Sequence, residues 1–324
     1  MRAVVCQSYG PPEDLVVEEL ADLVPGPDQV VVRVHAAAVN FPDVLMIDGK
    51  YQVKMPPPFT PGSELAGEVI AVGEGVTLRP GQRVSAATFV GAFAEQVLLH
   101  RASVSEIPDS ADFASAAAFG VTYRTAYHAL RSIVDVQPGD WVVVLGAAGG
   151  VGLAAVDLAV AMKARVLAAA SSPEKLELCR QRGAEATLDY DREDLKARIR
   201  ELTGDNARVV LDPVGGRYSE PALRALARGG TFVTLGYAAG AIPAIPLNLV
   251  LLKGIIVRGM EIRTFVTDRP KDSARDMREL TQMFADGTIR PYIGARFPLA
   301  DTAVALRYLA DRKAIGKVII DVTA

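Results

Sequence analysis

The sequence predicts an α/β protein in two parts, a β-rich domain followed by a doubly wound parallel sheet. Three observations carry this. Residues 1 to about 120 break into short apolar runs bounded by Pro, Gly or Asp. From Trp141 onward, apolar runs alternate with helix-length stretches. The first of those runs meets its helix at a Gly-rich turn, Ala147-Ala148-Gly149-Gly150-Val151-Gly152.

In the first part, RAVVC, QVVVRVHAAAV, LAGEVIAVG, RVSAATF and AFAEQVLL read as strands. Prolines cluster at Pro11–Pro12, Pro25–Pro27, Pro56–Pro58 and Pro61, as turn-rich loops require. The texture changes near Phe119. SADFASAAAFGVTYRTAYHALRSIVDV reads as helices, with Ser110 expected to cap one start. The strands WVVVLG, ARVLAAA, EATLDY, ARVVLD, GTFVTLG and IIVRGM then follow, mostly with helical stretches between them. Such alternation predicts parallel strands joined by crossover helices. The charged run YDREDLKARIREL mixes both signs and reads as a solvated helix face. A helix is expected around 271–286, and short strands end in GKVIIDVTA. The expected organisation is a β-rich domain at 1–122, a doubly wound parallel sheet at 123–266, and a return at 267–324 that completes the first domain.

Composition narrows the function. Half of the 324 residues are apolar, ample for packed cores. A net charge of −3 leaves no basic footprint for nucleic acid. No run reaches the ~18 unbroken apolar residues of a membrane span, and MRAVVCQSYGPPEDL lacks the layout of a signal peptide. Cys6 and Cys179 make neither a disulfide framework nor a metal spacing, and His35, His100 and His128 stand alone. A cytoplasmic protein with a small-molecule partner is expected, with no nucleic acid and no membrane.

The Gly-rich turn lies where a dinucleotide fingerprint belongs. Gly149 lets the backbone approach a pyrophosphate, and Gly152 lets the helix pack close to the strand. The N–H groups of Ala148, Gly149, Gly150, Val151 and Gly152, with the helix dipole, then face the anion. Ala147 stands where the usual first glycine stands, so a plain Gly-rich turn is the alternative. A nucleoside-triphosphate loop is excluded, because no Lys-Ser/Thr pair follows. The second strand ends AAASSPEKLE, with no acid at its tip to hold a ribose 2′-hydroxyl. Ser171, Ser172 and Lys175 stand there instead, and Tyr190 follows the third strand. Hydroxyls and a cation suit a 2′-phosphate, so the expected cofactor is NADP(H). The plainer alternative makes Ser172 an N-cap and Lys175 a solvated helix lysine.

AAAVNFPDVLMIDGKY (36–51), PGSELAGEVIAVGEGV (61–76), GQRV (81–84), AAAFGVTYRTAYHAL (116–130), GAAGGVG (146–152), SSPEKLELCRQRGA (171–184) and LDPVGG (211–216) occur in an order and spacing that are together specific. By these segments, over essentially its whole length, the chain resembles the medium-chain dehydrogenase/reductase superfamily, in particular its zinc-independent quinone oxidoreductase branch. The resemblance implies a GroES-like β-rich catalytic domain and a Rossmann domain, with the nicotinamide between them. In the frame of the zinc-dependent alcohol dehydrogenases, Asn40, Ser63 and a position near Ala118 fall where metal ligands stand, and no Cys occurs between Arg83 and Leu98. A catalytic zinc needs at least three protein ligands, so none is expected.

Without a Lewis acid the substrate must already accept hydride well, as quinones and activated alkenes do. The resemblance puts Asn40, Thr122, Leu235, Gly236 and Tyr237 near the nicotinamide, with Asn248 a further polar contact. Asn40 could instead hold a loop, and Thr122 could cap a helix. Tyr51, in DGKY, lies in a loop that resembles the tyrosine-bearing loop of enoyl reductases and is the candidate proton donor; the alternative is a lining aromatic. Asp43 reads as a structural loop residue and Asp212 as turn-forming. The family commonly pairs the strand equivalent to GIIVRGM (254–260) across a two-fold axis, so a homodimer is expected. Two other functions compete with quinone or enone reduction. One is an enoyl-thioester reductase, favoured if Arg263, Arg269 and Lys271 form a basic rim. The other is a non-catalytic dinucleotide-binding protein.

Overall fold

The computed structural model describes residues 1–323, which form two compact units: residues 1–121 with the tail from 291, and residues 122–290. In the first unit, β1 (Arg2–Val5) pairs antiparallel with β2 (Val16–Glu19). The sequence pattern hides β2, because Val16-Val17-Glu18-Glu19 has no alternation and lies mostly exposed. Then come β3 (Gln29–Val39), α1 (Phe41–Ile47), β4 (Glu64–Val72), β5 (Arg83–Ala87), β6 (Gln96–His100), β7 (Val104–Glu106) and α2 (Phe113–Ala117). The long strand β3 pairs antiparallel with β4 and with β6. Its valines Val30, Val32 and Val34 enter a core with Leu65, Val69, Val84 and Phe93. The cap of α2 is Asp112 and not Ser110: Asp112 Oδ1 accepts the Ser115 N–H at 2.8 Å, the reach an N-cap carboxylate has to the third helical residue.

The second unit opens with α3 (Thr122–Tyr127), which runs into a π-helical stretch, His128–Val134. The alternating pattern follows as β8 (Trp141–Leu145), α4 (Gly150–Ala161), β9 (Arg165–Ala170), α5 (Pro173–Gln181), β10 (Ala186–Asp189), α6 (Leu195–Thr203), β11 (Ala207–Asp212), α7 (Ser219–Ala225), β12 (Thr231–Thr234), α8 (Leu247–Lys253) and β13 (Ile256–Gly259). Two further helices, α9 (Ile262–Asp268) and α10 (Pro270–Ala285), complete it. All six strands are parallel, in the order β10-β9-β8-β11-β12-β13. The order reverses at β8, between β9 and β11, which is where open α/β sheets bind ligands. β8 reads WVVVL and is buried throughout, because crossover helices cover both faces of such a sheet.

The unit boundary corrects the expected return at 267. Helix α10 belongs to the second unit, which continues to Arg290. Its buried Asp276 holds His128 Nδ1 at 2.8 Å and accepts the Ser132 hydroxyl at 2.5 Å, and the Tyr127 hydroxyl donates to Glu279 at 2.7 Å. A buried carboxylate must have such partners, and these lie on the π-helical stretch and α3. An amphipathic helix would look the same in sequence whichever unit it packed on.

The tail then returns to the first unit as β14 (Ile293–Pro298), α11 (Thr302–Ala310) and β15 (Lys317–Asp321). β15 lies between β14, parallel, and β3, antiparallel, giving a seven-stranded sheet with the path β14-β15-β3-β4-β5-β7 and β6 also on β3.

Gly152 fixes how closely α4 approaches β8. A Cβ there would lie 2.2 Å from the Gly146 carbonyl oxygen and 2.8 Å from Ala147 Cα. These are backbone atoms and cannot swing aside. Gly152→Ala is expected to cost about 2 kcal/mol of stability and to lower Tm by roughly 4 °C or more in a thermal melt. An unchanged Tm would count against the close-packing role.

Candidate functional site

The Gly-rich turn has the geometry of an anion cradle. Gly146 leaves β8 with φ of +58°, and a Cβ there would lie 2.7 Å from Val214. Ala147 N–H donates to the Ala169 carbonyl at 3.0 Å, and Gly149 N–H to the Gly146 carbonyl at 2.9 Å. Gly149 is the N-cap of α4 and offers no side-chain cap. The first-turn N–H groups, at Gly150, Val151 and Gly152, are therefore left to a ligand or to water. Ala147, in place of the usual first glycine, is fully buried, so its methyl packs inward and does not narrow the cradle. The residues present fit a dinucleotide's pyrophosphate.

Beside the turn, β9 ends at Ala170 and no carboxylate follows. The Ser172 hydroxyl caps α5 by accepting the Lys175 N–H at 3.3 Å, while the Lys175 ammonium lies 3.4 Å from Ser171 Oγ. Ser172 therefore does the capping work, and Lys175 is turned back toward the end of β9. Tyr190 joins the same rim: its N–H donates to the Ala170 carbonyl at 3.1 Å. Its ring packs on Tyr218, with centroids 4.4 Å apart.

Leu235, Gly236 and Tyr237 follow β12 and meet the loop after β11. Leu235 N–H donates to the Asp212 carbonyl at 2.8 Å, and a Cβ on Gly215 would lie 2.8 Å from the Tyr237 ring. Asp212 forms its turn as expected, accepting the N–H groups of Val214 and Gly215, each at 2.8 Å. Thr122, buried, is the first residue of α3. Asn248 lies exposed on α8, a helix that also exposes Leu247, Leu251 and Leu252. The expected basic rim is partly answered by acids: Arg263 pairs with Glu261 at 3.1 Å and Arg269 with Asp272 at 3.8 Å.

In the first unit the notable feature is a buried ionic cluster. The Lys317 ammonium lies 2.6 Å from Asn40 Oδ1, 3.2 Å from Glu64 Oε2 and 3.3 Å from the Val39 carbonyl. The Asn40 amide nitrogen donates to Glu64 Oε2 at 3.1 Å. Glu64 Oε1 accepts the Val121 N–H at 2.6 Å. Both polar ends of the Asn40 side chain thus have protein partners, which is the loop-holding alternative for this residue. Asp43, fully buried, accepts the Asn40 N–H at 2.8 Å and fixes the start of α1. Burial pushes its carboxyl up to about 7, against the pull of that hydrogen bond. Tyr51 is half-buried after α1, its N–H on the Leu45 carbonyl at 3.1 Å and its ring 6.4 Å from Phe89. The neighbouring Tyr9 hydroxyl donates to the Met55 carbonyl at 2.7 Å and steadies this loop.

Residues 26–109 match the alcohol dehydrogenase GroES-like domain family, and residues 150–285 match the zinc-binding dehydrogenase family. The chain is 38% identical to quinone oxidoreductase-like protein 2 homolog of Nematostella vectensis, over 99% of its own length and 88% of that protein. It is 36% identical to a quinone oxidoreductase of Pseudomonas aeruginosa, over 97% of each chain. This chain belongs to the quinone oxidoreductase branch of the medium-chain dehydrogenase/reductase superfamily. Its fold is similar to that of Escherichia coli quinone oxidoreductase, solved in complex with NADPH, at a TM-score of 0.92 and 28% identity over 99% of this chain and 100% of that one.

Within this family frame, Lys317 was the residue the sequence pattern did not single out. A lone lysine in the apolar strand KVIID is a usable signal of a buried partner, because lysine is almost never fully buried unpaired. Tyr218 and Asp191, which frame Tyr190, carry no signal of spacing or type.

The state of Asp43 is testable. Its folded pKa of about 7 lies above the ordinary value of 3.8. The folded chain therefore holds this proton where the unfolded chain has released it. Its contribution is complete at acid pH and is lost as pH rises through about 7. Asp43→Asn keeps an acceptor for the Asn40 N–H and removes the titration. The fall in Tm from pH 5 to pH 8 should be smaller in the variant by about 3 °C or more. Parallel Tm–pH curves for the two proteins would show that Asp43 is ionised throughout.

Proposed function

We propose that this chain is an NADPH-dependent reductase that delivers hydride to a quinone or an activated C=C bond without a metal. The carrying observation is the uncapped N-terminus of α4 beside Ser171 and Lys175, with no acid at the end of β9. Bound NADPH supplies the hydride. The N–H groups of Gly150, Val151 and Gly152 hold its pyrophosphate, with Gly149, whose own N–H is held by the Gly146 carbonyl, letting the backbone approach it, and Ser171, Lys175 and Tyr190 take the 2′-phosphate. Thr122, Leu235, Gly236 and Tyr237 are assigned to the nicotinamide end on the family resemblance. Asn40 is assigned to that end on the same resemblance, and in its own unit it holds its loop through Glu64 and Lys317. An ammonium 2.6 Å from Asn40 Oδ1 is a poor neighbour for a divalent cation and supports metal-free chemistry.

Negative charge collects on the substrate carbonyl oxygen as hydride arrives. A hydrogen bond aimed at that oxygen is worth most in the transition state, and the Tyr51 hydroxyl is the group proposed to donate it. A homodimer is supported by the edge strand β13, where Ile256 and Val257 are 44% and 48% exposed, and by exposed Leu247, Leu251 and Leu252 on α8. An uncovered apolar edge invites pairing. Two buried free thiols, Cys6 and Cys179, suit a reducing cytoplasm. Among the described residues no helix is long and apolar enough to cross a membrane.

Three measurements test these assignments. Lys175→Ala should raise the Kd for NADPH about ten- to hundredfold and leave that for NADH nearly unchanged, the size of one charge-assisted contact; equal losses for both cofactors would remove Lys175 from the 2′-phosphate site. NADPH oxidation with a panel of quinones, enones and an enoyl thioester identifies the acceptor. In that assay Tyr51→Phe should lower kcat roughly 10²-fold with NADPH affinity kept. A loss of only a few-fold leaves Tyr51 a lining aromatic, and loss of activity to a chelator with recovery on adding zinc would overturn the metal-free reading. Binding of NADPH with no turnover on any acceptor would favour the non-catalytic alternative. Sedimentation velocity at micromolar concentration should find a dimer that Val257→Lys converts to monomer, and a monomeric wild type would sink the pairing.

A further inference from the structure

The rim at Tyr190 contains a carboxylate that the cofactor reading does not use. Asp191 directly follows Tyr190, whose backbone is bonded to Ala170, the residue before Ser171. An acid so near the proposed seat of a 2′-phosphate should repel it. In the structure that acid is answered by two groups from the loop after β11. The Arg217 guanidinium lies 2.6 Å from Asp191 Oδ1, and the Tyr218 hydroxyl donates to the same oxygen at 2.6 Å. Arg217 also donates to the Tyr218 hydroxyl at 3.0 Å and lies over its ring, 4.9 Å from the centroid. The Tyr218 ring in turn packs on Tyr190. Burial and the neighbouring carboxylate hold the Tyr218 phenol up, so it remains a donor.

As a stability device this arrangement is weak. The Arg217 and Asp191 side chains are 74% and 38% exposed, and ion pairs this open contribute little to folding. As a local field it matters more. A phosphate dianion beside an unanswered carboxylate meets repulsion that falls off only over the Debye length, about 8 Å at physiological ionic strength.

We propose that Arg217 is a specificity-determining residue for the cofactor: by neutralising Asp191 it lets the 2′-phosphate sit beside Tyr190, Ser171 and Lys175. The inference rests on the assignment of Ser171, Lys175 and Tyr190 to that phosphate. Arg217 acts through Asp191, so it is a positioning residue and not a phosphate ligand. Tyr218 couples the two, since its ring supports Tyr190 and its hydroxyl binds Asp191.

The test uses two adenine nucleotides that differ by the phosphate in question, 2′,5′-ADP and 5′-AMP, with affinities measured by calorimetry on the full chain. Lys175→Ala is the control for the underlying assignment and should weaken 2′,5′-ADP selectively. Arg217→Ala should weaken 2′,5′-ADP about three- to tenfold, the scale of a partly screened charge at close range, with 5′-AMP within twofold of wild type. Adding Asp191→Asn to Arg217→Ala should restore 2′,5′-ADP to within twofold of wild type. Thermal melts should show no loss of folding in either variant. If Lys175→Ala is selective but Arg217→Ala changes nothing, this inference fails and the assignment stands. If the double variant stays as weak as Arg217→Ala, neutralisation of Asp191 is refuted, because the guanidinium then acts on the phosphate itself. If Lys175→Ala shows no selectivity, the assignment fails and the inference with it.

Discussion

The buried ammonium of Lys317 is the constraint around which the first unit is organised. A charge taken out of water is tolerated only where partners surround it, and removing one of them typically costs several kcal/mol. Lys317 meets this demand with Asn40, Glu64 and the Val39 carbonyl. Those groups come from the end of β3, the N-cap of α1 and the start of β4, and the lysine itself opens β15, so one cation joins segments nearly 280 residues apart in sequence. The consequences run outward. Asn40 is fixed, and with it the start of α1 and the loop that carries Tyr51. Glu64 is fixed, and its other oxygen holds Val121 N–H, where the chain leaves this unit. By the sequence resemblance Asn40 falls where zinc-dependent relatives would place a ligand; in the structure its side chain lies in a lysine's hydrogen-bond shell.

The second unit depends on close approach instead of charge. Because Gly152 has no Cβ, α4 starts against the Gly146 carbonyl and points its first N–H groups past the end of β8. The cradle therefore arises from backbone alone, and its chemistry is that of partial positive charge without a side chain. Side chains enter only at the rim. There the absence of an acid after β9, the ammonium of Lys175 and the acid–base pair Asp191–Arg217 set the sign of the local field. On the proposed assignment, affinity for a dinucleotide rests on the backbone cradle and the choice between two dinucleotides on the side chains at its rim.

Much of this architecture is legible in the sequence. The strand–glycine–helix order fixed where the cradle would be, because few other residues allow a helix to start so close to a strand. The six parallel strands could be read from unbroken valine and alanine runs, since a sheet covered on both faces has no polar side to show. Local signals also pointed to the Ser172 cap and the Asp212 turn, as both act within a few residues of themselves.

What only the tertiary structure decided involves partners distant in sequence. The helix of residues 270–285 has the same amphipathic pattern whichever unit it packs on, and the assignment turned on Asp276 meeting His128 and Ser132. The cap of α2 shifted from Ser110 to Asp112 by two residues, a distance within which several polar residues could serve. Lys317 and Glu64 are unremarkable letters until they are 3.2 Å apart. Tyr218 and Asp191 become neighbours because they follow β11 and β10 at the same carboxyl end of the parallel sheet. Periodicity and turn chemistry record what a residue does to its own backbone. The pairing of buried or facing charges is a property of space, so the sequence by itself set the fold class and the cradle, while the three-dimensional packing decided which charges answer one another.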